Sequence, residues 1–434
     1  MIQYFKKSIP IPVQGTATEQ QKKYKRSKWQ VFISATLGYG LYYVCRLSLN
    51  VVKKPIVDSG LLTELELGII GSALFFSYAV GKLFNGFLAD HSNIKRFMST
   101  GLFVSALVNL ILGFTSSFLF FAICWGVNGW FQSMGAPSSV VSLSRWYTDK
   151  ERGSFYGFWS TSHNIGEALT YILTGVVSSY FGWQWGFRAA AIVGILGVIL
   201  IVLFFHDTPE SKGLPPINED FREEKTSTWK EQKEVLKNPH IWLLALASGF
   251  MYISRYAVNS WGPYFLETAK GYSLTQANTL IAISAVCGIF GTISSGFVSD
   301  KFFKGSRNAP TLIVGLMNVF ALCLFLLAPK DVWWLDIISM VIFGLGIGAL
   351  ICYLGGLMAV DIASKKASGA ALGVVGIMSY VAAGLQDIAS GFLIEKNKTI
   401  VEGEAVYNFT PITIFWISSA VLSVLFTLLI WKKT

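Results

Sequence analysis

Two arginines lie inside stretches that are otherwise apolar and aromatic: Arg46 in LYYVCRLSLN and Arg255 in FMYISRYAVN. An arginine at the centre of a bilayer costs roughly 2.5 to 3.5 kcal/mol, so a chain that keeps two of them indicates a function for both. A guanidinium stays charged and can bind a phosphate or carboxylate through two parallel hydrogen bonds. Two such groups that face each other suit a doubly charged anion, and phosphate fits better than carboxylate. The alternative is that each arginine pairs with an acid inside the membrane, such as Glu167 or Asp387.

Lys82 and His163 are further polar groups in apolar segments of the first half of the chain. Lys82 has no acid nearby in its own segment and is predicted to add positive charge to the anion site. Histidine ordinarily titrates near neutrality, so His163 is predicted to donate a hydrogen bond to a phosphate oxygen or to respond to its ionisation. A packing role for this histidine is the alternative. Glu167 lies four residues further along the same predicted helix face, where it could hold the imidazole ring in position.

The surroundings of the two arginines are repeated in the sequence. When the arginines are aligned, which takes an offset of 209 residues (255 − 46), Tyr43 falls on Tyr252 and Asn50 falls on Asn259. The chain is therefore predicted to consist of two copies of one design, with a central site between them. Tyr43, Tyr252 and Asn259 are candidates to contact the ligand, although aromatic residues in apolar segments more often only pack.

A second repeated motif supports the same division. GFLAD ends at Asp90 and GFVSD ends at Asp300, an offset of 210 residues (300 − 90), and basic residues follow both. An acid at a helix end can form charge pairs with a basic loop, and these pairs can break and re-form when two halves of a protein move. Asp90 and Asp300 are therefore assigned to gating and not to ligand contact. A role in helix capping and topology alone is the alternative.

The composition indicates which elements position these residues. Of the 434 residues, 53% are hydrophobic and 14% are charged, which excludes an ordinary water-soluble chain. Runs of about 20 mostly apolar residues occur about twelve times, and the alternation typical of an outer-membrane barrel is absent. We predict an all-α membrane protein with twelve transmembrane helices in two six-helix halves. The predicted divisions are a basic tail (1–28), an N-terminal half (29–205), a linker (206–240), a C-terminal half (241–431) and a short tail (432–434).

Basic residues are distributed unevenly about the predicted spans. The net charge of +10 lies mostly before the first span and in alternate loops, which predicts that both termini are cytoplasmic and argues against a nucleic-acid partner. Lys53, Lys54, Lys396 and Lys398 are exceptions on the opposite side. Residues 1–28 lack the features of a cleaved signal peptide, so we expect the first helix to direct insertion.

The sequence offers no pattern typical of catalysis or metal binding. The five cysteines have no CxxC pairing and no histidine at ligand spacing, so neither disulfides nor a metal site is expected. Neither a nucleophile elbow nor a nucleotide-binding Walker loop is present, so we expect neither an enzyme nor a cofactor. The expected partners are the lipid bilayer and small anions, and the protein is expected to be a monomer.

Several motifs together resemble a known family. GxxxD followed by basic residues in both halves resembles the loop signature of the major facilitator superfamily, although HSNI separates Asp90 from the next basic residues. YYVCRLSLN, GKLFNGFLAD, GWFQSMGAPSSVVSLSRWY, STSHN and YISRY resemble the organophosphate:phosphate antiporter family, and the resemblance covers nearly the whole chain. It implies that Arg46 and Arg255 bind the phosphoryl group. It also matches Lys82 and His163 to the lysine and histidine of the family's second and fifth helices.

Asp387 lies where the sequence departs from the hexose phosphate carriers of this family. Those carriers have an Asp/Lys pair in the eleventh helix, whereas SYVAAGLQDIASG contains Asp387 and no lysine. Asp387 is predicted either to belong to the sugar end of the pocket or to pair with Lys82 in the empty carrier. The particular sugar is therefore left open.

The resemblance implies a carrier that exchanges a sugar phosphate, with glucose 6-phosphate as the first expectation, for inorganic phosphate. One alternative is a membrane sensor that binds sugar phosphate and signals to a histidine kinase. Another is a proton-coupled symporter in which His163, Glu167 or Asp387 is the titrating group. The expected location is a bacterial inner membrane, with the endoplasmic reticulum as the second choice.

Overall fold

A computed structural model describes residues 3–13, 15–217, 229–330, 332–363 and 367–431, and these residues are almost entirely helical. The first helices are α1 (Ala17–Asp58), α2 (Glu64–His91), α3 (Ile94–Leu112), α4 (Phe118–Gln132), α5 (Gly135–Trp146), α6 (Asp149–Ser160), α7 (Ser162–Phe181) and α8 (Trp183–Phe204). The next are α9 (Trp229–Lys237), α10 (Pro239–Ala269), α11 (Leu274–Phe302), α12 (Asn308–Leu327), α13 (Trp333–Cys352), α14 (Met358–Ile362), α15 (Ser368–Lys396) and α16 (Thr410–Ile430). Between α15 and α16, β1 (Lys398–Val401) and β2 (Glu404–Tyr407) form an antiparallel hairpin.

Most of the helices are membrane spans. Nine helical segments of the described chain are long and apolar enough to cross a membrane on their own. Three more spans are formed by α1, by α4 with α5 and by α6 with α7, which carry more polar residues or are divided by a short break. A π-helical turn, Tyr353–Leu357, joins α13 to α14 within one span. The predicted all-α fold with twelve spans is confirmed.

Helix α1 is longer than its apolar stretch. It begins at Ala17, after a capping box formed by Thr16 and Glu19, and it continues to Asp58. Lys53 is one of the basic residues that depart from the predicted charge distribution across the membrane. It lies within this helix, and it is fully buried. Of the predicted linker, residues 218–228 lie outside the described residues, as do the predicted short tail 432–434 and the first two residues of the basic tail.

Two bundles make up the molecule: α1–α8, which we call the N-terminal half, and α10–α16, which we call the C-terminal half. Across the boundary between them, α2 packs along α15 and α7 packs along α11. The end of the molecule that carries β1 and β2 is here called the hairpin side. The opposite end, which carries residues 3–13 and 206–217, is called the terminal side.

On the hairpin side the two halves touch at the level of the backbone. A Cβ atom at Gly68 of α2 would lie 2.5 Å from the carbonyl oxygen of Asp387 in α15. One at Gly391 of α15 would lie 2.4 Å from the carbonyl oxygen of Glu64 in α2. Real Cβ atoms do not approach other atoms so closely, so only glycine permits this contact. The halves are therefore closed against each other at this end.

A cluster of hydrogen bonds to Glu64 joins the two halves on the hairpin side. The Oε1 atom of Glu64 accepts from the hydroxyls of Tyr264 (2.8 Å) and Tyr407 (2.6 Å) and from the ammonium of Lys398 (3.1 Å). Glu64 belongs to the N-terminal half and its three donors belong to the C-terminal half. Burial acts to lower the pKa of Lys398, but the hydrogen bond to Glu64, the negative charge of Glu64 and the contact with Tyr407 together outweigh burial and raise that pKa above its ordinary value. Lys398 therefore stays a cation at neutral pH.

At the terminal side, parts of both halves face open space. An added Cβ atom at Gly153 or Gly157 of α6, or at Gly369 or Gly373 of α15, would meet no other atom within 4 Å. Phe158 of α6 is 61% exposed. The described structure is thus closed on the hairpin side and open on the terminal side.

The close contact of α2 with α15 gives a first prediction. Gly68→Leu should hold the hairpin side open, because the leucine side chain would occupy the position of the Asp387 backbone. Spin labels at the exposed positions Ser59 and Thr399, one in each half, should report a longer distance in this variant than in the unsubstituted protein. Gly86→Leu is the matched control, because Gly86 lies in the same helix and an added Cβ atom there has open space. Equal label distances in the two variants would contradict the closure described above.

Candidate functional site

Arg46 lies in the interior of α1 and its side chain is buried. Its guanidinium carbon lies 4.2 Å from the ring centroid of Tyr78 and 4.7 Å from that of Tyr43. The Nε atom donates to Oε1 of Gln132 at 3.3 Å, but neither terminal nitrogen has a hydrogen-bond partner among the described residues. Buried donors without partners are costly, so this pair is poised for an acceptor that enters from outside the chain.

Arg255 occupies the related position in α10 and is also buried. Its guanidinium carbon lies 5.3 Å from the ring of Tyr256 and 5.7 Å from that of Tyr252. Unlike Arg46 it has an acidic partner, because one terminal nitrogen lies 3.3 Å from Oε2 of Glu167. Pairing with an intramembrane acid, the alternative raised by the sequence, is therefore observed for Arg255, whereas Arg46 has no ion pair with any described acid.

A cluster of tyrosines joins the surroundings of the two arginines across the halves. The ring of Tyr380 in α15 lies 4.4 Å from that of Tyr78 and 5.6 Å from that of Tyr252. Tyr78 stacks on Arg46, and Tyr252 flanks Arg255. No sequence pattern indicated Tyr78 or Tyr380, because each is one of many aromatic residues in the apolar segments and neither belongs to the repeated motif.

Lys82 reaches the same cluster from α2. Its ammonium lies 5.5 Å from the ring centroid of Tyr380 and close enough to Arg46 for the two cations to repel each other. The structure gives it no ion pair with any described carboxylate. Lys82 therefore adds positive charge beside Arg46, as an anion site requires.

His163 also lies beside the cluster, with its ring 5.8 Å from that of Tyr43. Its Nδ1 atom is bonded to the carbonyl of Ser160, and its buried Nε2 atom has no partner among the described residues. Because a carbonyl only accepts, Nδ1 carries a proton, and in the neutral ring Nε2 is an acceptor. Donation to a phosphate oxygen, the predicted role, would thus require the imidazolium form. Glu167 does not hold this ring and turns instead towards α10.

Asn259 shares Glu167 with Arg255. Its side-chain amide donates to Oε1 of Glu167 at 2.6 Å, and its backbone carbonyl accepts from the hydroxyl of Tyr171 in α7. The predicted residues Tyr43, Tyr252 and Asn259 thus all adjoin the arginines. The first two do so through their rings and the third through the shared acid.

Asp387 has a basic neighbour that the sequence did not reveal. The prediction that it pairs with Lys82 is wrong in this conformation, because its Oδ1 atom lies 3.1 Å from the ammonium of Lys53 in α1. The same oxygen accepts from Ser260 and from the indole of Trp261, each at 2.6 Å. Lys53 lies two turns beyond Arg46, on the hairpin side, so the pair joins the two halves between the arginines and the Glu64 cluster.

The two predicted gating acids lie at the terminal side. Asp300 forms an ion pair of 2.7 Å with Arg307, which also approaches Asp361 at 3.7 Å. In the first half, the backbone carbonyl of Asp90 accepts from Arg145. The carboxylate of Asp300 thus has a charge pair of the kind that the gating assignment invokes, whereas Asp90 contacts Arg145 through its backbone carbonyl, and each interaction remains within one half. The gating role of the two acids stays a prediction.

Comparisons with known proteins define the class. A model of the Major Facilitator Superfamily matches residues 33–386. The solved structure of a bacterial homologue of the human lysosomal transporter Spinster, in an inward-facing and unoccupied conformation, superposes with a TM-score of 0.72. It covers 94% of this chain and 96% of that one at 19% identity, which establishes the fold alone. The chain belongs to the major facilitator superfamily.

Sequence relatives narrow this class. A protein named probable hexose phosphate transport protein, from Chlamydia pneumoniae, is 35% identical over 84% of each chain. The membrane sensor protein UhpC of Salmonella typhimurium is 32% identical over 89% of each chain. The resemblance to the organophosphate:phosphate antiporter family, close to hexose phosphate transporters and their related sensor, is confirmed.

Proposed function

We propose that this protein is a secondary active transporter that exchanges a sugar phosphate, with glucose 6-phosphate as the first candidate, for inorganic phosphate by alternating access. The observation that carries the proposal is the guanidinium of Arg46, whose two terminal nitrogens are buried and unpartnered within the described chain. Two parallel N–H donors match two oxygens of a phosphoryl group. The relative named as a hexose phosphate transport protein supports the same class of substrate.

In the proposed complex, Arg46 and Arg255 bind the phosphoryl group from opposite halves, and Lys82 adds attraction to its negative charge. With its ring neutral, His163 accepts a hydrogen bond from a ligand hydroxyl through Nε2; it donates to a phosphate oxygen only in the imidazolium form. The rings around the arginines exclude water and lower the local dielectric, which strengthens these charge interactions. Asn259 and the hydroxyls of the tyrosines provide polar contacts for the sugar, and Asp387 would reach it only after release from Lys53.

The transport step follows from the balance of charge. In the empty site the cations repel one another and resist the loss of water, so closure at the terminal side is unfavourable. A bound dianion neutralises this excess and allows the halves to rock about the site. Because loaded forms reorient more readily than the empty form, the outcome is exchange driven by a phosphate gradient. Asp90 and Asp300, with their basic neighbours, would hold the terminal side when it closes.

The test is uptake of labelled glucose 6-phosphate into proteoliposomes with no ion gradient imposed. We expect strong uptake when inorganic phosphate is trapped inside and little uptake when internal phosphate is replaced by sulfate at equal ionic strength. Uptake of labelled glycerol 3-phosphate is measured in parallel, and a higher rate with glucose 6-phosphate would show that the hexose phosphate is preferred. Uptake that does not depend on internal phosphate and is abolished by an added protonophore would instead indicate proton-coupled symport.

The sensor is the second candidate, and the relative named as a membrane sensor protein favours its inclusion. A sensor would bind sugar phosphate but show no flux under the conditions above, and it would need a histidine-kinase partner at the terminal side. Equilibrium binding of labelled glucose 6-phosphate to the purified protein, measured beside uptake, separates the two. Binding without flux would replace the carrier by the sensor.

The proposed setting is a bacterial inner membrane, with both termini cytoplasmic and the protein acting as a monomer. The terminal side is then the cytoplasmic side, and the conformation described above faces inward. The lysines and arginines of the first turns of α1, which begins before its apolar stretch, support this orientation.

A further inference from the structure

Glu167 is a buried acid at the centre of the proposed substrate site. It is 3% exposed, and both of its carboxylate oxygens are bonded to α10 of the opposite half. One oxygen lies 3.3 Å from a terminal nitrogen of Arg255, and the other accepts from Asn259 at 2.6 Å. An acid that pairs with Arg255 when no substrate is bound competes with the phosphoryl group of the substrate for that arginine.

The charged residues around the site determine its net charge when no substrate is bound. The described residues place three cations at the tyrosine cluster, Arg46, Arg255 and Lys82, and one anion, Glu167. Lys53 and Asp387 pair with each other and cancel. Counted with Arg46, Arg255, Lys82 and Glu167 ionised and His163 neutral, the empty site carries an excess of two positive charges. A phosphate ester with two negative charges balances this excess, and one with an additional carboxylate does not.

We infer that Glu167 sets the charge selectivity of the site: it is the counter-ion of Arg255 in the empty carrier and restricts tight binding to doubly charged phosphates. The inference rests on the proposed function. Glu167 is a specificity-determining residue that acts both on Arg255 and on the net charge. Without its negative charge, the site would carry an excess of three positive charges and would favour an organic phosphate that also bears a carboxylate.

The same contact affects the rate of exchange. Glu167 lies in α7 of the N-terminal half, and its two partners lie in the C-terminal half. Its ion pair with Arg255 can therefore re-form across the halves as phosphate leaves. Loss of this acid should tighten phosphate binding and slow release. We therefore expect Glu167→Gln to lower the phosphate concentration for half-maximal exchange and also to lower the maximal rate. A purely structural defect would not tighten binding.

The test measures displacement of labelled inorganic phosphate from the purified full-length protein at pH 8 by glucose 6-phosphate and by 3-phosphoglycerate. The ratio of the two inhibition constants is the readout. In Glu167→Gln this ratio should shift towards 3-phosphoglycerate by about tenfold or more, the size expected for one charge in close contact. Glu167→Ser removes the same charge with a smaller side chain and should shift the ratio in the same direction. Glu167→Ser replaces Glu167→Gln in the test if the glutamine variant is not recovered from membranes.

A compensating substitution makes the test specific for charge. Lys82→Gln alone should shift the ratio in the opposite direction, and Lys82→Gln combined with Glu167→Gln should restore the original preference, because it restores the excess of two charges. Glu404→Gln, the same chemical change at an exposed position of the hairpin, is the matched control and should leave the ratio unaltered.

The two failures are distinguishable. An unchanged ratio in both neutral variants at position 167, in a protein whose unsubstituted form exchanges sugar phosphate for phosphate, overturns the inference alone. Failure of the unsubstituted protein to bind either anion overturns the proposed function, and the inference falls with it.

Discussion

Arg46→Lys should leave about 1% or less of the sugar phosphate exchange of the unsubstituted protein, while the protein still inserts and folds. Lysine keeps the positive charge but cannot form two parallel hydrogen bonds to one phosphoryl group. A hydrogen bond between charged groups contributes about 1.5 to 3 kcal/mol, so the loss of one bond of the pair, together with the shorter reach of lysine, should cost about 3 kcal/mol, a factor of about a hundred. The measurement is the initial rate of labelled glucose 6-phosphate uptake into phosphate-loaded proteoliposomes, normalised to inserted protein.

Arg188→Lys is the matched control for this substitution. Arg188 lies in α8, donates to the carbonyl of Gly113 and stacks on the ring of Phe114, away from the tyrosine cluster. The control should retain most of the exchange activity. Arg255→Lys should resemble Arg46→Lys, although the acid paired with Arg255 makes its ground state different. Exchange at the unsubstituted rate in Arg46→Lys would remove the phosphate-binding assignment.

Lys53→Met and Asp387→Leu should each severely destabilise the protein as a single substitution. The ion pair between these residues is buried on both sides, with side-chain exposures of 0% and 1%. Breaking a buried pair by removing one partner costs about 3 to 5 kcal/mol, because it leaves the other charge without compensation. Lys53→Met combined with Asp387→Leu should recover most of this stability, since well-packed apolar residues often replace such a pair without loss. The measurement is the thermal unfolding midpoint of the purified protein for the four members of the cycle.

A neighbouring ion pair controls for charge removal on the same helix. Lys54 pairs with Asp58 one turn later in α1, but this pair is partly exposed to solvent. Lys54→Met should therefore alter stability by only about 0 to 1 kcal/mol. If Lys53→Met were equally mild, the buried pair would not hold the halves together on the hairpin side.

The double substitution also separates two roles of Asp387. If this acid only closes the hairpin side, the double variant should exchange both phosphate and sugar phosphate, with altered rates. If it also contacts the sugar, exchange of labelled phosphate for phosphate should survive while exchange with glucose 6-phosphate is lost. Both measurements use the same proteoliposomes and differ only in the external substrate.

The sequence by itself determined the class of fold, the repeat and the identity of the principal charges. Apolar runs of membrane-spanning length leave few alternatives to helices, because every backbone polar group in the bilayer must be bonded within its own segment. The cost of burying Arg46 and Arg255 identified both as functional candidates, since such residues are rare in apolar segments. Their repeated surroundings, with Tyr43 matching Tyr252, predicted a candidate site between two halves.

Only the tertiary structure decided which charges are paired. Lys53 and Asp387 are 334 residues apart and Glu167 and Arg255 are 88 apart, and their contacts depend on how α1, α7, α10 and α15 pack together. No local pattern encodes such a contact, because helical periodicity specifies a face and not the residue that meets it from another helix. The pairing decides the chemistry. It leaves both terminal nitrogens of Arg46 without a partner among the described residues, gives Arg255 a competing acid and makes Asp387 part of an ion pair that joins the two halves.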